Sequence, residues 1–405
     1  MELRFPLILD GATGTELQKR GFDGGQCAEQ WVLEHPESIL EIQRAYVKAG
    51  SQVLYTPTFG ANRTKLEAHG IFNQVEAYNL RLAALSRQAA EGKAWVAGDI
   101  APTGLFLYPL GDASFDELVD IYTEQAAALE KAGVDLFVIE TMMTVAEARA
   151  AVLAVKSVSQ KPVFVTFTCD EKGRTLTGSD VAAALQILQG MGVDAFGLNC
   201  SVGPGEMTEQ LKRLRRVARV PLIAKPNAGV PQVKDGLTVY DCPPEAFTAC
   251  LEPMAAAGVQ IFGGCCGTQA AHIRALWEKT RELPRVPPMP EEADKLPCAT
   301  EKELFFLDPA VEIGPVIPCG GDLEDALEEA MEDPRPVIAL AVERAEDLDA
   351  LADCQGSIGK PLCLVCEDGE LLEQALRLYQ GRALYEGSLP EDVLRPLAAR
   401  YGLLY

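Results

Sequence analysis

The chain has 405 residues, 48% of them apolar and 23% charged, a composition typical of folded globular proteins and a length that usually needs two cores. Lysine and arginine number 36 against 59 aspartates and glutamates, a net charge of −23, which argues against nucleic acid or an anionic membrane as a partner because both need a basic face. No run approaches the roughly 18 apolar residues of a membrane-spanning helix, and the N-terminus lacks a signal-peptide layout; a cytoplasmic location is expected, where the 12 cysteines stay reduced and their clustering points to metal binding or catalysis.

Short runs rich in β-branched and aromatic residues recur along the first part of the chain. They are LILDG (7–11), VLYTPTF (53–59), WVAGDI (95–100), LFVIE (136–140), PVFVTFT (162–168), AFGLNC (195–200), PLIAKPN (221–227) and IFGGCC (261–266). Each is nearly continuous, as in parallel strands covered on both faces. Helical periodicity fills the gaps at 36–50, 114–135, 144–157, 179–192 and 244–258. The first of these ends in Gly50, and the second opens on Ser114 as an N-cap with Glu117 three residues on. The alternation predicts an α/β chain with a (β/α)8 TIM barrel over residues 1–285. No GxGxxG follows the first run, which weighs against a doubly wound sheet. The proline-rich, acidic stretch 286–300 reads as a linker. Over 301–405 the βα rhythm resumes, with strands at 337–342, 361–366 and 383–388, in a smaller α/β domain too short for a second barrel. The barrel is expected to keep its site without residues 300–405.

Active sites of such barrels lie at the C-terminal ends of the strands. That rule selects Asp10 to Thr15, Thr56 to Phe59, Glu140, Cys200, Asn227 and the pair Cys265–Cys266. The cysteines come from the sixth and eighth runs, which a closed barrel separates by a single strand. Three thiolates with one remaining position suit Zn²⁺ in its catalytic arrangement. A substrate thiol in the open position becomes a thiolate nucleophile, able to attack an electrophilic methyl group in line. The competing reading treats buried cysteines as small hydrophobes. It is the commoner fate of one cysteine, and a vicinal pair between GG and GT plus a third in GLNCSVGPG tips the balance to metal. A disulfide between adjacent Cys265 and Cys266 is strained. Cys363 and Cys366 lie on one strand, where residues i and i+3 face opposite sides, so they read as structural. Asp10 alone fits an N-cap, and Glu140 alone a surface acid.

DGATGTELQKRG (10–21), TFGANRTKL (58–66), IET (139–141), GLNCSVGP (197–204), PNAG (226–229) and GGCCGT (263–268) together resemble the homocysteine S-methyltransferase family. That family includes the homocysteine-binding module of cobalamin-dependent methionine synthase and betaine–homocysteine methyltransferase. The resemblance spans about residue 4 to 285 and implies zinc-dependent methyl transfer to the thiol of homocysteine, giving methionine. It makes Cys200, Cys265 and Cys266 the ligands of one Zn²⁺ per chain. Asp10 and Glu140 hold the homocysteine ammonium, and the backbone amides of Ala12 and Thr13 take its carboxylate. Ser201 and Asn227 complete the substrate-site set, the first supporting the Cys200 turn and the second shaping its loop. One departure bears on the donor: the second-strand motif commonly reads Thr-Asn-Thr-Phe, and here it is Thr56-Pro57-Thr58-Phe59, so Pro57 offers no amide.

Residues 361–405 more weakly resemble part of a pterin-binding barrel, without the polar residues that would hold a pterin, so no folate site is assigned. No D-x-H-x-x-G cobalamin motif occurs. The methyl group is therefore expected on a small molecule or on a separate protein, and the tail's resemblance tilts the reading to a methyl-corrinoid on a separate protein, with S-methylmethionine or betaine as alternatives. A non-catalytic zinc- and thiol-binding subunit of a methyltransferase complex is the reading from a different class.

Overall fold

The computed structural model describes residues 4–108, 110–234, 237–290 and 294–405. Each apolar run of the first part overlaps a strand: β1 (Leu7–Ile8), β2 (Val53–Tyr55), β3 (Trp95–Ile100), β4 (Leu136–Met142), β5 (Val163–Phe167), β6 (Ala195–Asn199), β7 (Leu222–Lys225) and β10 (Val259–Phe262). A hairpin of β8 (Gln232–Lys234) and β9 (Leu237–Val239) is inserted after β7. The sheet runs β1-β10-β7-β6-β5-β4-β3-β2, every pairing parallel, which is the order around a (β/α)8 barrel.

The last seam lies between β1 and β2, strands of two and three residues. Gln52 closes it: its N–H donates to Ile8 O at 2.7 Å and its Oε1 accepts the Ile8 N–H at 2.9 Å. The Asp10 carboxylate continues the seam by accepting the Tyr55 N–H at 2.7 Å. Inside, Leu9, Tyr55, Val138, Phe164, Ile223 and Ile261 belong to one buried cluster, so the barrel is a filled core. Gly197 is there for a close approach, because a Cβ at that position would fall 2.0 Å from Ile223 O on β7.

The helix signals resolve as expected where capping chemistry is clear. The Ser114 hydroxyl accepts the Glu117 N–H at 3.1 Å and opens Phe115–Lys131. Gly50, with φ of 113°, ends Pro36–Ala49. The periodic stretch 244–258 differs: it breaks into Pro244–Phe247, a 3-10 turn at Thr248–Cys250, and Leu251–Ala256. Pro253 has no N–H to continue an α-helical ladder from the preceding turn.

The chain divides into two compact units, one of residues up to Leu176 with Asp194–Met289, the other of Thr177–Val193 with Pro290–Tyr405. The second unit holds a parallel sheet in the order β13 (Ile313–Pro318), β14 (Val337–Ala341), β15 (Leu362–Val365), β16 (Leu384–Glu386). An antiparallel hairpin, β11 (Leu296–Ala299) with β12 (Leu304–Leu307), shares its core: Cys298, Leu307, Val337, Cys363 and Leu384 are buried together. The proline-rich stretch thus runs into a strand at its end, while its residues 291–293 lie outside those described. The helix Val181–Gly190, which follows β5 in the chain, groups with this unit. It packs against β11, β12 and the helix Glu391–Tyr401, and the Asp180 N–H donates to Lys302 O at 3.1 Å. Within this unit, Val181–Gly190 thus takes its packing partners from residues 296–401.

Candidate metal and substrate site

The two cysteine-bearing turns owe their shape to backbone hydrogen bonds from β7. The Cys200 N–H donates to Lys225 O at 3.1 Å, and the Cys265 N–H to Pro226 O at 2.9 Å. The Ala228 N–H reaches Cys266 O at 2.9 Å. β7 lies between β6 and β10, so its end ties both turns together. Cys200 and Ser201 sit at φ of 61° and 59°, a strained region for residues with a Cβ that is maintained by surrounding contacts and concentrates at functional sites. The three Sγ atoms lie within 4.8 Å of one another, and among the described residues this is the one group of metal-ligating side chains so arranged. Cys200 Sγ and Cys266 Sγ are 3.9 Å apart. Tetrahedral Zn²⁺ with bonds near 2.3 Å would place two thiolates about 3.8 Å apart, so the cysteines fit one ion. Cys363 joins the second unit's core, and the Cys366 thiol donates to Asp368 O at 3.2 Å.

Hydrogen bonds from Cys200 and Cys265, and then from the Tyr240 hydroxyl, hold the Cys266 thiol well below the ordinary range against the effect of burial. Negative charge at the cluster is therefore already favoured on one sulfur. Tyr240 lies over Gly267, where a Cβ would meet its ring at 2.4 Å.

A cavity of about 460 Å³ opens above the cluster. Cys200, Cys265, Cys266, Asp10, Ala12, Thr13 and Glu140 all line it. Ser201 and Asn227 are not among its lining residues. The Ser201 hydroxyl meets the Thr168 hydroxyl, which supports the turn. Asn227 is buried; its N–H donates to Val202 O at 3.1 Å, and its Oδ1 is buried without a partner. Pro57 lines the cavity from the loop after β2, where the Thr56 and Thr58 hydroxyls bond each other at 2.7 Å and fix the loop through Asp99.

Several residues that shape the site carry no local sequence signal. Lys225 is buried with its Nζ 3.2 Å from Asp10 Oδ1 and 3.9 Å from Glu140 Oε2, over the Tyr55 ring at 3.5 Å from the centroid. Burial pushes the Asp10 and Glu140 carboxyls up, and Lys225 offsets part of that. Asp99, buried beside Glu140, is raised well above the carboxylate range. Asn199 accepts the Thr141 N–H at 3.0 Å and donates to the Thr141 hydroxyl at 2.7 Å, holding Thr141 at φ of 60° next to Glu140. Thr268 accepts the Ala12 N–H at 3.1 Å and donates to Cys265 O at 2.7 Å, linking the Asp10 loop to the cysteine turn. The one hint in the sequence is a lysine inside the otherwise apolar run PLIAKPN; the other contacts join residues far apart in the chain.

Fold and site define a (β/α)8 barrel with a three-cysteine cluster, able to hold a metal ion, in the wall of a cavity that Asp10 and Glu140 also line. A family model described as homocysteine S-methyltransferase matches residues 7–280, and the chain belongs to that family. Methionine synthases of Mycobacterium tuberculosis and Mycobacterium leprae are each 34% identical over 288 residues, covering 66% of this chain and 24% of theirs. The chain thus spans about a quarter of the length of the curated relatives it matches. The homocysteine methyltransferase MmuM from Escherichia coli, in its metallated form, is 27% identical with a TM-score of 0.57, covering 67% of this chain and 96% of that one. Its oxidized form is 26% identical with a TM-score of 0.58, covering 67% and 95%. Among the described residues no helix is long and apolar enough to cross a membrane.

Proposed function

We propose that this chain transfers a methyl group to the thiol of homocysteine, giving methionine, with Zn²⁺ held by Cys200, Cys265 and Cys266. The observation that carries the reading is the convergence of three sulfurs within 4.8 Å on the same cavity that Asp10 and Glu140 line. When bound, zinc would keep the substrate thiol as a thiolate at neutral pH and present it to an electrophilic methyl group.

The chain's own residues orient the substrate. Asp10 and Glu140 are the carboxylates offered to its ammonium, and the amides of Ala12 and Thr13, residues that line the same cavity, are the donors offered to its carboxylate. The Ala12 N–H is bonded to Thr268, so the carboxylate shares that donor with the threonine hydroxyl or displaces it. Ser201 and Asn227 act on the turns, since neither lines the cavity.

A methyl-corrinoid on a separate protein is the donor proposed first, and Phe59, which lines the cavity and is 43% exposed, offers apolar surface to such a partner. The match over 96% of MmuM's length favours a second reading, a small-molecule donor such as S-methylmethionine or betaine. Methionine formation from homocysteine by the zinc-loaded protein, measured with methylcobalamin, S-methylmethionine and betaine in parallel, tests both. Turnover with one donor identifies it. A zinc-loaded protein that turns over none of them contradicts catalysis by the single chain and favours a subunit that needs its partner.

A further inference from the structure

A site that holds a substrate thiol beside three cysteine sulfurs has four sulfurs that can take the methyl group. In each case the sulfur lone pair forms the S–CH3 bond while the leaving group keeps the electron pair of the bond that breaks. Methylation of a cysteine turns an anionic ligand into a neutral thioether and spoils the site. Each of the three cysteine sulfurs has a protein hydrogen directed at it. Asn199 Nδ2 donates to Cys265 Sγ at 3.9 Å, and its bond to the Thr141 hydroxyl at 2.7 Å fixes the amide. The Tyr240 hydroxyl donates to Cys266, and the Ser201 backbone N–H donates to Cys200. Tyr240 directly follows β9, and its ring lies across Gly267, where a Cβ would collide with it. None of these three donors is among the residues that line the cavity, so they reach the cysteines and not a thiol lying in the cavity.

We propose that Asn199, Ser201 and Tyr240 form a shell of hydrogen-bond donors that makes the cysteine sulfurs poorer nucleophiles than the substrate's, so that the methyl group goes to the thiol in the cavity and the ligands are spared. The inference rests on the zinc and homocysteine reading above and gives it a source of selectivity. A hydrogen bond to a thiolate stabilises its lone pair, and nucleophilicity falls as that pair is held more tightly. The same donors orient the sulfurs, as partners of metal ligands do. The rate of attack responds to somewhat under half of the strength of such a bond, so loss of one donor should speed attack by its sulfur about 3- to 10-fold. Tyr240 is a positioning residue, acting through Cys266, and it is the donor that can be removed alone: phenylalanine leaves the ring in place over Gly267. Asn199 also holds Thr141, and Ser201 donates from the backbone.

The test treats zinc-loaded, dialysed protein with iodomethane in the absence of homocysteine and follows S-methylation of each cysteine by peptide mass spectrometry. Tyr240→Phe should be methylated at Cys266 about 3- to 10-fold faster than wild type, with Cys200, Cys265 and Cys242 unchanged. Cys242 lies two residues beyond Tyr240 and outside the cluster, so it reports any loosening of the loop. In the Co²⁺-loaded proteins the sulfur-to-metal charge-transfer absorption should move to longer wavelength in Tyr240→Phe, because the sulfur lone pair rises in energy when the hydrogen bond is lost. Cys266 methylation at the wild-type rate overturns the inference, and so does an equal rise at Cys242, the mark of an opened loop. An absorption that stays in place overturns it too. So does a phenylalanine variant that no longer retains zinc, since the hydroxyl would then secure the ion rather than its selectivity. Wild type that takes up no zinc overturns the metal reading itself, and that outcome is read from metal content before any methylation.

Discussion

Thr268→Val removes one hydroxyl and keeps the shape of the side chain. Thr268 is fully buried, and its oxygen accepts the Ala12 N–H at 3.1 Å while its hydrogen goes to Cys265 O at 2.7 Å. Cys265 O keeps a second bond, from the Thr268 N–H at 3.1 Å, so it forfeits only a net hydrogen bond of about 0.5–1.5 kcal/mol. Ala12 lines the cavity, so its N–H exchanges the threonine oxygen for water at a similar net cost of about 0.5–1.5 kcal/mol. The total of about 1–3 kcal/mol corresponds to a fall in Tm of roughly 2–10 °C for a domain of this size. Thr268→Ser, which keeps the hydroxyl, should fall much less. Urea unfolding at fixed zinc concentration, with Tm by calorimetry, measures both. A valine variant within about 0.5 kcal/mol of wild type would refute the claim that this hydroxyl holds the Asp10 loop to the cysteine turn.

Cys266→Ala should abolish one-to-one zinc retention through dialysis, read by metal analysis, because a two-thiolate site competes poorly for the ion; stoichiometric zinc in that variant would remove Cys266 from the ligand set. Asp99→Asn should raise Tm at pH 8 by about 3 °C or more and leave it unchanged near pH 3. The native carboxyl resists ionisation while the unfolded one ionises near its ordinary 3.8, so this aspartate costs stability increasingly as pH rises above that value; an unchanged or lower Tm at pH 8 contradicts the assignment. Deleting residues 300–405 should give an aggregating chain, because the helix Val181–Gly190 loses β12 and the helix Glu391–Tyr401. A monomeric truncation that still binds homocysteine would show the barrel to be self-sufficient.

Much of this was legible from the sequence because the signals were local. Parallel barrel strands declare themselves as apolar runs, and strand ends locate Asp10, Glu140, Cys200, Cys265 and Cys266 without any contact being known. Ser114 and Gly50 mark helix ends by the chemistry of single residues. The rest depends on pairs distant in the chain. That Lys225 meets Asp10, that Thr268 meets Ala12, and that Gln52 closes the seam at β1 are consequences of the closed barrel. The strained backbone at Thr141, Cys200 and Ser201 follows none of their intrinsic preferences and is held by Asn199 and by β7. The helix Val181–Gly190 has the pattern of any barrel helix, and its partners beyond residue 290 leave no trace in that pattern.

The proposed zinc site leaves one position beside Cys200, Cys265 and Cys266 open for the thiol of homocysteine. X-ray absorption at the zinc edge, on the loaded protein before and after addition of homocysteine, tests it most directly. Three sulfur neighbours are expected to rise to four, with bonds near 2.3 Å, on addition of the substrate. A sulfur count that does not change when homocysteine binds would contradict it.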